Sequence, residues 1–165
     1  MTGTVGDLVL APYHEDQVIN ITGSPCILAS SLQGKLDQLQ DPEEHEFGLP
    51  ILSHGRIVGH ILAAALQNAL NGLEDPRFTL CLLSSEAPSY PQEEAAWNGY
   101  MVDFTPYVKQ STVTFEANTK QAFAYDCFRK LELDYLYIVR NGKYKGLVSS
   151  SCSLRSHVVL SALQR

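Results

Sequence analysis

The chain has 165 residues, with 12 Lys and Arg against 18 Asp and Glu, a formal charge of −6, five His, four Cys and 45% hydrophobic residues. One domain of that length, or two small halves sharing a core, buries roughly 70% of its unfolded surface and needs neither disulfides nor metals to fold. The acidic balance gives little electrostatic support for nucleic-acid binding, modest Gly and Pro exclude a disordered or fibrous chain, and no apolar run reaches the roughly 18 residues of a membrane span.

Taken in chain order, residues 1–16 have no basic start, and their short apolar run leads straight into His14-Glu15-Asp16, so they do not read as a signal peptide. Val18-Ile19-Asn20-Ile21 reads as a strand, and the sequon Asn20-Ile21-Thr22 inside it is discounted as a glycosylation site. Ser24 as N-cap and Pro25 at N1 then predict a helix whose apolar face is Leu28, Leu32, Leu36 and Leu39, weakened by Gly34. Residues 50–61 predict a hairpin turning at His54-Gly55, and residues 63–70 a further helix.

Residues 71–99 carry Pro76, Pro88 and Pro91 with Ser and Glu clusters and read as a linker, within which residues 78–83 form a short strand. Beyond it, Thr112-Val113-Thr114-Phe115 reads as a strand, and Asn118 or Thr119 caps a helix burying Phe123, Cys127, Phe128 and Leu131. A second hairpin turns at Asn141-Gly142, where both residues tolerate positive φ. Residues 153–163 predict a closing helix.

These elements repeat. Residues 50–61 match residues 137–148 at an offset of 87, with Gly55 on Gly142 and Gly59 on Gly146. Upstream, Pro12-Tyr13 recurs as Pro106-Tyr107, and residues 18–21 as residues 112–115, at an offset of 94. The difference places a seven-residue insertion in the first copy, mostly at residues 41–45. Each copy is a β-α-β-β-α unit with a short lead-in, and the expected division is residues 1–70, a linker at 71–99, and residues 100–165. Charge divides unevenly too: residues 1–100 hold three basic and 13 acidic groups, residues 101–165 nine and five.

Catalytic chemistry finds little footing. Cys26, Cys81, Cys127 and Cys152 show no zinc-ligand spacing. Gly34-Lys35 lacks the flanking residues of a phosphate loop. Cys152 and His157, five apart, are offset on a helix and lack a third orienting group. His54 and His60 read as turn and strand-end residues, the Glu43-Glu44-His45-Glu46 run as a solvated loop, and Tyr135 and Tyr137 as strand patterning.

The repeated segments resemble a tandem pair of cystathionine-β-synthase (CBS) domains, an α/β (α+β) architecture in which two pseudo-symmetric β-α-β-β-α units pack through their sheets. A more particular likeness is to the cytoplasmic C-terminal region of eukaryotic CLC chloride channels and chloride/proton exchangers. It is carried by Thr4-Val5-Gly6-Asp7-Leu8, by Phe47-Gly48-Leu49-Pro50-Ile51-Leu52 with Ile57-Val58-Gly59-His60-Ile61-Leu62, by Val102-Asp103-Phe104-Thr105-Pro106-Tyr107, and by Ala122-Phe123 with Phe128-Arg129-Lys130-Leu131. The resemblance implies a non-catalytic regulatory module on the cytoplasmic face of a membrane. Its partners would be the transmembrane domain of the same chain and a second copy in a homodimer, with no nucleic acid and no metal. At 165 residues the chain is too short for a transporter, so the expectation is a portion of a longer polypeptide.

Some members of that family bind ATP, ADP or AMP in a cleft between the units, using an aromatic just before the Gly-Phe-Pro segment and an Asp six residues after the Val-Gly glycine. Here Glu46 stands at the aromatic position with Phe47 one place late. Cys152 stands six after Gly146 and Ala65 six after Gly59. Thr22 and Ser149 complete the cleft candidates, Ser149 keeping a hydroxyl. Losing a charge-assisted acceptor for the ribose costs about 1.5–3 kcal/mol, so the expected site is degenerate, with no bound cofactor and at most weak adenylate binding. The last helices suggest Leu66, Leu70, Val159 and Leu163 as exposed dimer-interface residues. The alternative reading is a stand-alone CBS-pair sensor of adenine nucleotides.

Overall fold

Both apolar hairpins form where their turn residues demand. The computed structural model describes residues 3–9, 13–39, 48–85, 99–133 and 135–149, and the chain divides into two bodies, Glu15–Gln110 and Met1–His14 with Ser111–Arg165. In the first body, β3 (Leu49–Ser53) and β4 (Arg56–Ile61) turn at His54 and Gly55, with φ of 54° and 79°. In the second, β9 (Tyr135–Arg140) and β10 (Lys143–Ser149) turn at Asn141 and Gly142, with φ of 53° and 79°. Such paired positive φ values match the right-handed twist of the flanking strands. Both hairpins also bulge by one residue just before the repeat glycine, at Val58 in one and Lys145 in the other.

The first body holds two sheets. Strand β1 (Ile19–Asn20) runs parallel to β3, and β4 pairs antiparallel with β7 (Val108–Lys109), giving the order β1-β3-β4-β7. The second sheet has the order β2-β5-β6, formed by β2 (Cys26–Leu28), β5 (Thr79–Leu82) and β6 (Tyr100–Asp103). Its described residues also include helices α1 (Ala29–Asp37) and α2 (Ala63–Asn71). Gln33 and Gln67 join the two helices by exchanging amide hydrogen bonds of 3.0 and 2.8 Å.

Several expectations change here. Ser24 does not cap a helix. Its hydroxyl accepts from the Cys26 amide at 3.1 Å and turns the chain into β2, which pairs with β5, so helix α1 starts later at Ala29. Leu32, Leu36 and Leu39 are buried as the periodicity requires, while Leu28 is half-buried at the N-cap. Leu66 and Leu70 are not exposed. At 0% and 4% exposure they lie in the core cluster that includes Leu32, Leu36 and Ile61, because α2 turns its apolar stripe inward. Val159 and Leu163 lie outside the described residues. The expected linker at 71–99 supplies β5 to the first body.

In the second body β8 (Thr114–Glu116) runs parallel to β9, and β9 pairs antiparallel with β10. Helix α3 (Gln121–Lys130) buries Gln121, Ala124 and Phe128. The anticipated face of Phe123 and Leu131 points outward, at 57% and 61% exposure. The physical reason lies in the lead-in, residues 3–9, which crosses α3 at its start. Gln121 Nε2 donates to Thr4 O at 2.8 Å, and its amide donates to Gly3 O at 3.1 Å, fixing the inward face at Gln121. Lys120, rather than Asn118 or Thr119, takes the N-cap position.

The repeat register also shifts. Ile19 pairs with Ile51, and Phe115 with Ile138, so the first strands correspond at an offset of 96 rather than 94. The bonds Ile21 N to Leu52 O (2.8 Å) and Ala117 N to Val139 O (2.7 Å) agree. Buried helix positions Leu32 and Leu36 answer to Ala124 and Phe128 at 92. The extra length in the first copy is therefore split, part entering before α1 as the β2 segment and part following the helix.

Each lead-in belongs to the body of the other repeat, and the repeat glycines exist for that reason. A Cβ on Gly59 would lie 2.8 Å from Val108 Cγ1, and one on Gly146 would lie 2.9 Å from Val9 Cγ1. Only a residue without a side chain lets the crossing segment approach so closely.

Candidate functional site

Of the cleft candidates, Thr22 and Ser149 lie among the described residues, one in each body. Thr22 follows β1. Its amide and hydroxyl donate to Asn20 Oδ1 at 3.0 and 2.6 Å, and its hydroxyl oxygen accepts from the His54 amide at 2.8 Å. Thr22 thus pins the first turn. In the second body the residue matching Asn20 is Glu116, whose carboxylate accepts from the Asn141 and Gly142 amides at 3.2 Å each. In the first body Asn20 holds the turn through Thr22, whereas in the second Glu116 holds it directly.

Sequence reading missed the part played by Asn20 and Glu116. A usable signal was present: a side-chain acceptor at the end of the repeat's first strand, once the copies are aligned at 96.

Gly48 sets the direction of the chain immediately after Phe47. Its φ is +97°, and an added Cβ would collide with the Ile61 carbonyl and the Ala63 amide nitrogen. That is steric reason enough for glycine in the segment carrying the resemblance. Glu46, Phe47 and Cys152 themselves lie outside the described residues. Ser149 closes β10 opposite Tyr135.

Further groups bear on chemistry. Asp103 Oδ1 accepts from the Thr105 hydroxyl at 2.6 Å and amide at 2.9 Å, and these bonds hold its carboxyl below the ordinary carboxylate range. Cys81 is buried and its thiol is pushed up to about 12 by desolvation and by neighbouring Cys26, which leaves it an inert protonated group. In the second body the rings of Tyr13, Tyr144, Tyr137 and Tyr135 follow one another at 5.0, 5.6 and 5.5 Å. Burial, reinforced by Tyr13, raises the Tyr144 phenol well above its ordinary value. This chain of packed rings bears out the strand-patterning reading of Tyr135 and Tyr137.

Among the described residues, no group of three or more His, Cys, Asp or Glu side chains could hold a metal ion. No described helix is long and apolar enough to cross a membrane.

No protein-family model matches the sequence, and no curated protein does. Solved structures do match. CBSX2 in complex with AMP is 17% identical with a TM-score of 0.54, the match covering 99% of this chain and 98% of that one. The chain has the fold of a CBS-domain pair. The CBS pair of protein MJ0100, solved with 5′-methylthioadenosine and S-adenosyl-L-methionine, is 15% identical with a TM-score of 0.53, covering 98% of each chain. The CBS pair of the putative Mg²⁺ transporter SO5017 from Shewanella oneidensis is 12% identical with a TM-score of 0.55, covering 99% of this chain and 72% of that one. At these identities the likeness concerns the fold.

Proposed function

We propose that this CBS pair is a non-catalytic cytosolic regulatory and dimerisation module of a CLC-type chloride channel or exchanger, modulating its gating. The observation carrying this reading is the CBS-pair fold combined with the Val102-Asp103-Phe104-Thr105-Pro106-Tyr107 segment. That segment runs from β6 through an Asp103–Thr105 turn, buries Phe104 in the core and enters β7. A CBS pair in a putative Mg²⁺ transporter gives the reading a parallel in another transport protein. Its test is the coding sequence upstream of Thr2. Several transmembrane helices there support the proposal, and their absence refutes it.

A second reading, a stand-alone adenylate sensor, draws on the AMP and S-adenosyl-L-methionine complexes of structural neighbours. The degenerate ribose position argues for the first. Calorimetric titration with ATP, ADP and AMP separates them, since a dissociation constant tighter than about 100 μM, worth more than about 5 kcal/mol, favours the sensor. Val159 and Leu163 remain interface candidates, and light scattering of charged variants at both positions tests them.

A further inference from the structure

We infer that residues 3–9 act as a releasable strap that gates the second body: seated, the strap closes that body's core, and lifted, it loosens the β9–β10 hairpin while the Glu15–Gln110 body stays folded. Val5 carries the closure. It is 0% exposed and shares a buried cluster with Ala117, Ala124, Phe128, Leu136, Ile138 and Val148, with Leu8 and Val9 packed against its edge. Removing the strap would therefore uncover apolar surface on both α3 and the hairpin sheet.

The attachments run along one short stretch. Val5 N donates to Thr119 O and Gly6 N to Ala117 O, each at 2.8 Å, while Gln121 holds Gly3 and Thr4. Within the strap, the Thr4 amide donates to Asp7 Oδ2 at 2.9 Å, part of a capping box that keeps residues 4–8 in a 3₁₀ turn of their own. A segment with its own internal bonds and one line of external bonds lifts as a unit, which is how local opening proceeds in folded proteins.

The contrast with the other lead-in is informative. Residues 104–109 follow directly from β6, which is paired through Tyr100, Met101, Val102 and Asp103 to β5, so that lead-in is anchored on both sides of Phe104. The strap is held instead through bonds to Ala117, Thr119 and Gln121. The inference goes beyond the proposed function, and its test involves neither a transporter nor a nucleotide.

Hydrogen–deuterium exchange on the full chain decides the matter. In G6A the new Cβ would meet Ala117 O at 2.9 Å and Ala117 Cβ at 3.0 Å, pushing the strap from its seat. The expected result is exchange faster by roughly tenfold or more across residues 114–149, with residues 49–71 unchanged. Equal acceleration in both regions, or none in residues 114–149, overturns the inference. Should G6A fail to fold, D7A removes one exposed hydrogen bond at 2.9 Å. It must then give a smaller acceleration, about threefold, confined to the same region.

Discussion

Replacing Leu66 by Ala separates core from interface. Leu66 is 0% exposed within a cluster drawn from α1, α2, β3, β4 and β5. Truncation there deletes three buried carbon atoms and leaves a cavity that two packed helices cannot readily close. Leu-to-Ala changes at such sites cost 2–5 kcal/mol, and the fully enclosed setting points to about 3 kcal/mol. The better helix propensity of Ala returns only a few tenths of that, about 0.2 kcal/mol. For a chain of this size, about 3 kcal/mol lowers the melting temperature by roughly 6–12 °C. Urea denaturation followed by circular dichroism measures the loss, and light scattering follows the molar mass. The core assignment requires a large stability loss with unchanged mass. A midpoint displaced by less than about 0.5 kcal/mol together with a fall in oligomer mass would refute it and return Leu66 to an interface.

Four further outcomes are expected. Gly34 lies on the exposed face of α1 with open space around its Cβ position, so G34A should raise stability by about 0.5–1 kcal/mol, read from the same urea curves. Gly48→Ala should cost about 1–3 kcal/mol from the backbone alone, with the Ile61 carbonyl clash adding to it; soluble protein of native melting temperature would contradict this. Glu116→Gln removes one of the two carboxylate oxygens that hold the second turn and should weaken it by about 1 kcal/mol, seen as faster amide exchange at Asn141 and Gly142 but not at His54. Cys81 should resist iodoacetamide at pH 8 while half-exposed Cys127 reacts. With its folded value of about 12 above the ordinary 9.0, the neutral Cys81 thiol stabilises the fold below pH 9 and loses that contribution as pH rises toward 12. Alkaline unfolding that starts no earlier in wild type than in C81A would argue against this.

The hairpins were legible because their chemistry is local: Asn141-Gly142 and His54-Gly55 between apolar runs leave few other conformations. Leu32 and Leu36 were legible for the same reason, a single helical period. What escaped depended on partners distant in sequence. Ser24 looks like a cap until β5, over fifty residues on, draws Cys26–Leu28 into a strand. Phe123 looks buried on hydrophobicity alone, yet the lead-in's grip on Gln121 chooses the inward face. Thr22, a cleft candidate, also clamps a turn through its hydroxyl, a role that depends on His54 more than thirty residues away. Gly59 and Gly146 carry a sequence trace of the exchanged lead-ins, but a glycine does not say what passes over it.

The exchange of lead-ins also orders the life of the chain during synthesis. Residues 15–110 form one uninterrupted body and can close as soon as β7 has left the ribosome. The strap, made before that body, finds Thr119, Gln121 and the hairpin sheet only more than a hundred residues after its own synthesis. Contacts of such separation form late, after local structure has been won. A product terminated between residues 110 and 117 would therefore contain one finished body and an orphaned strap, its Val5 exposed and available to whatever apolar surface a quality-control machine presents.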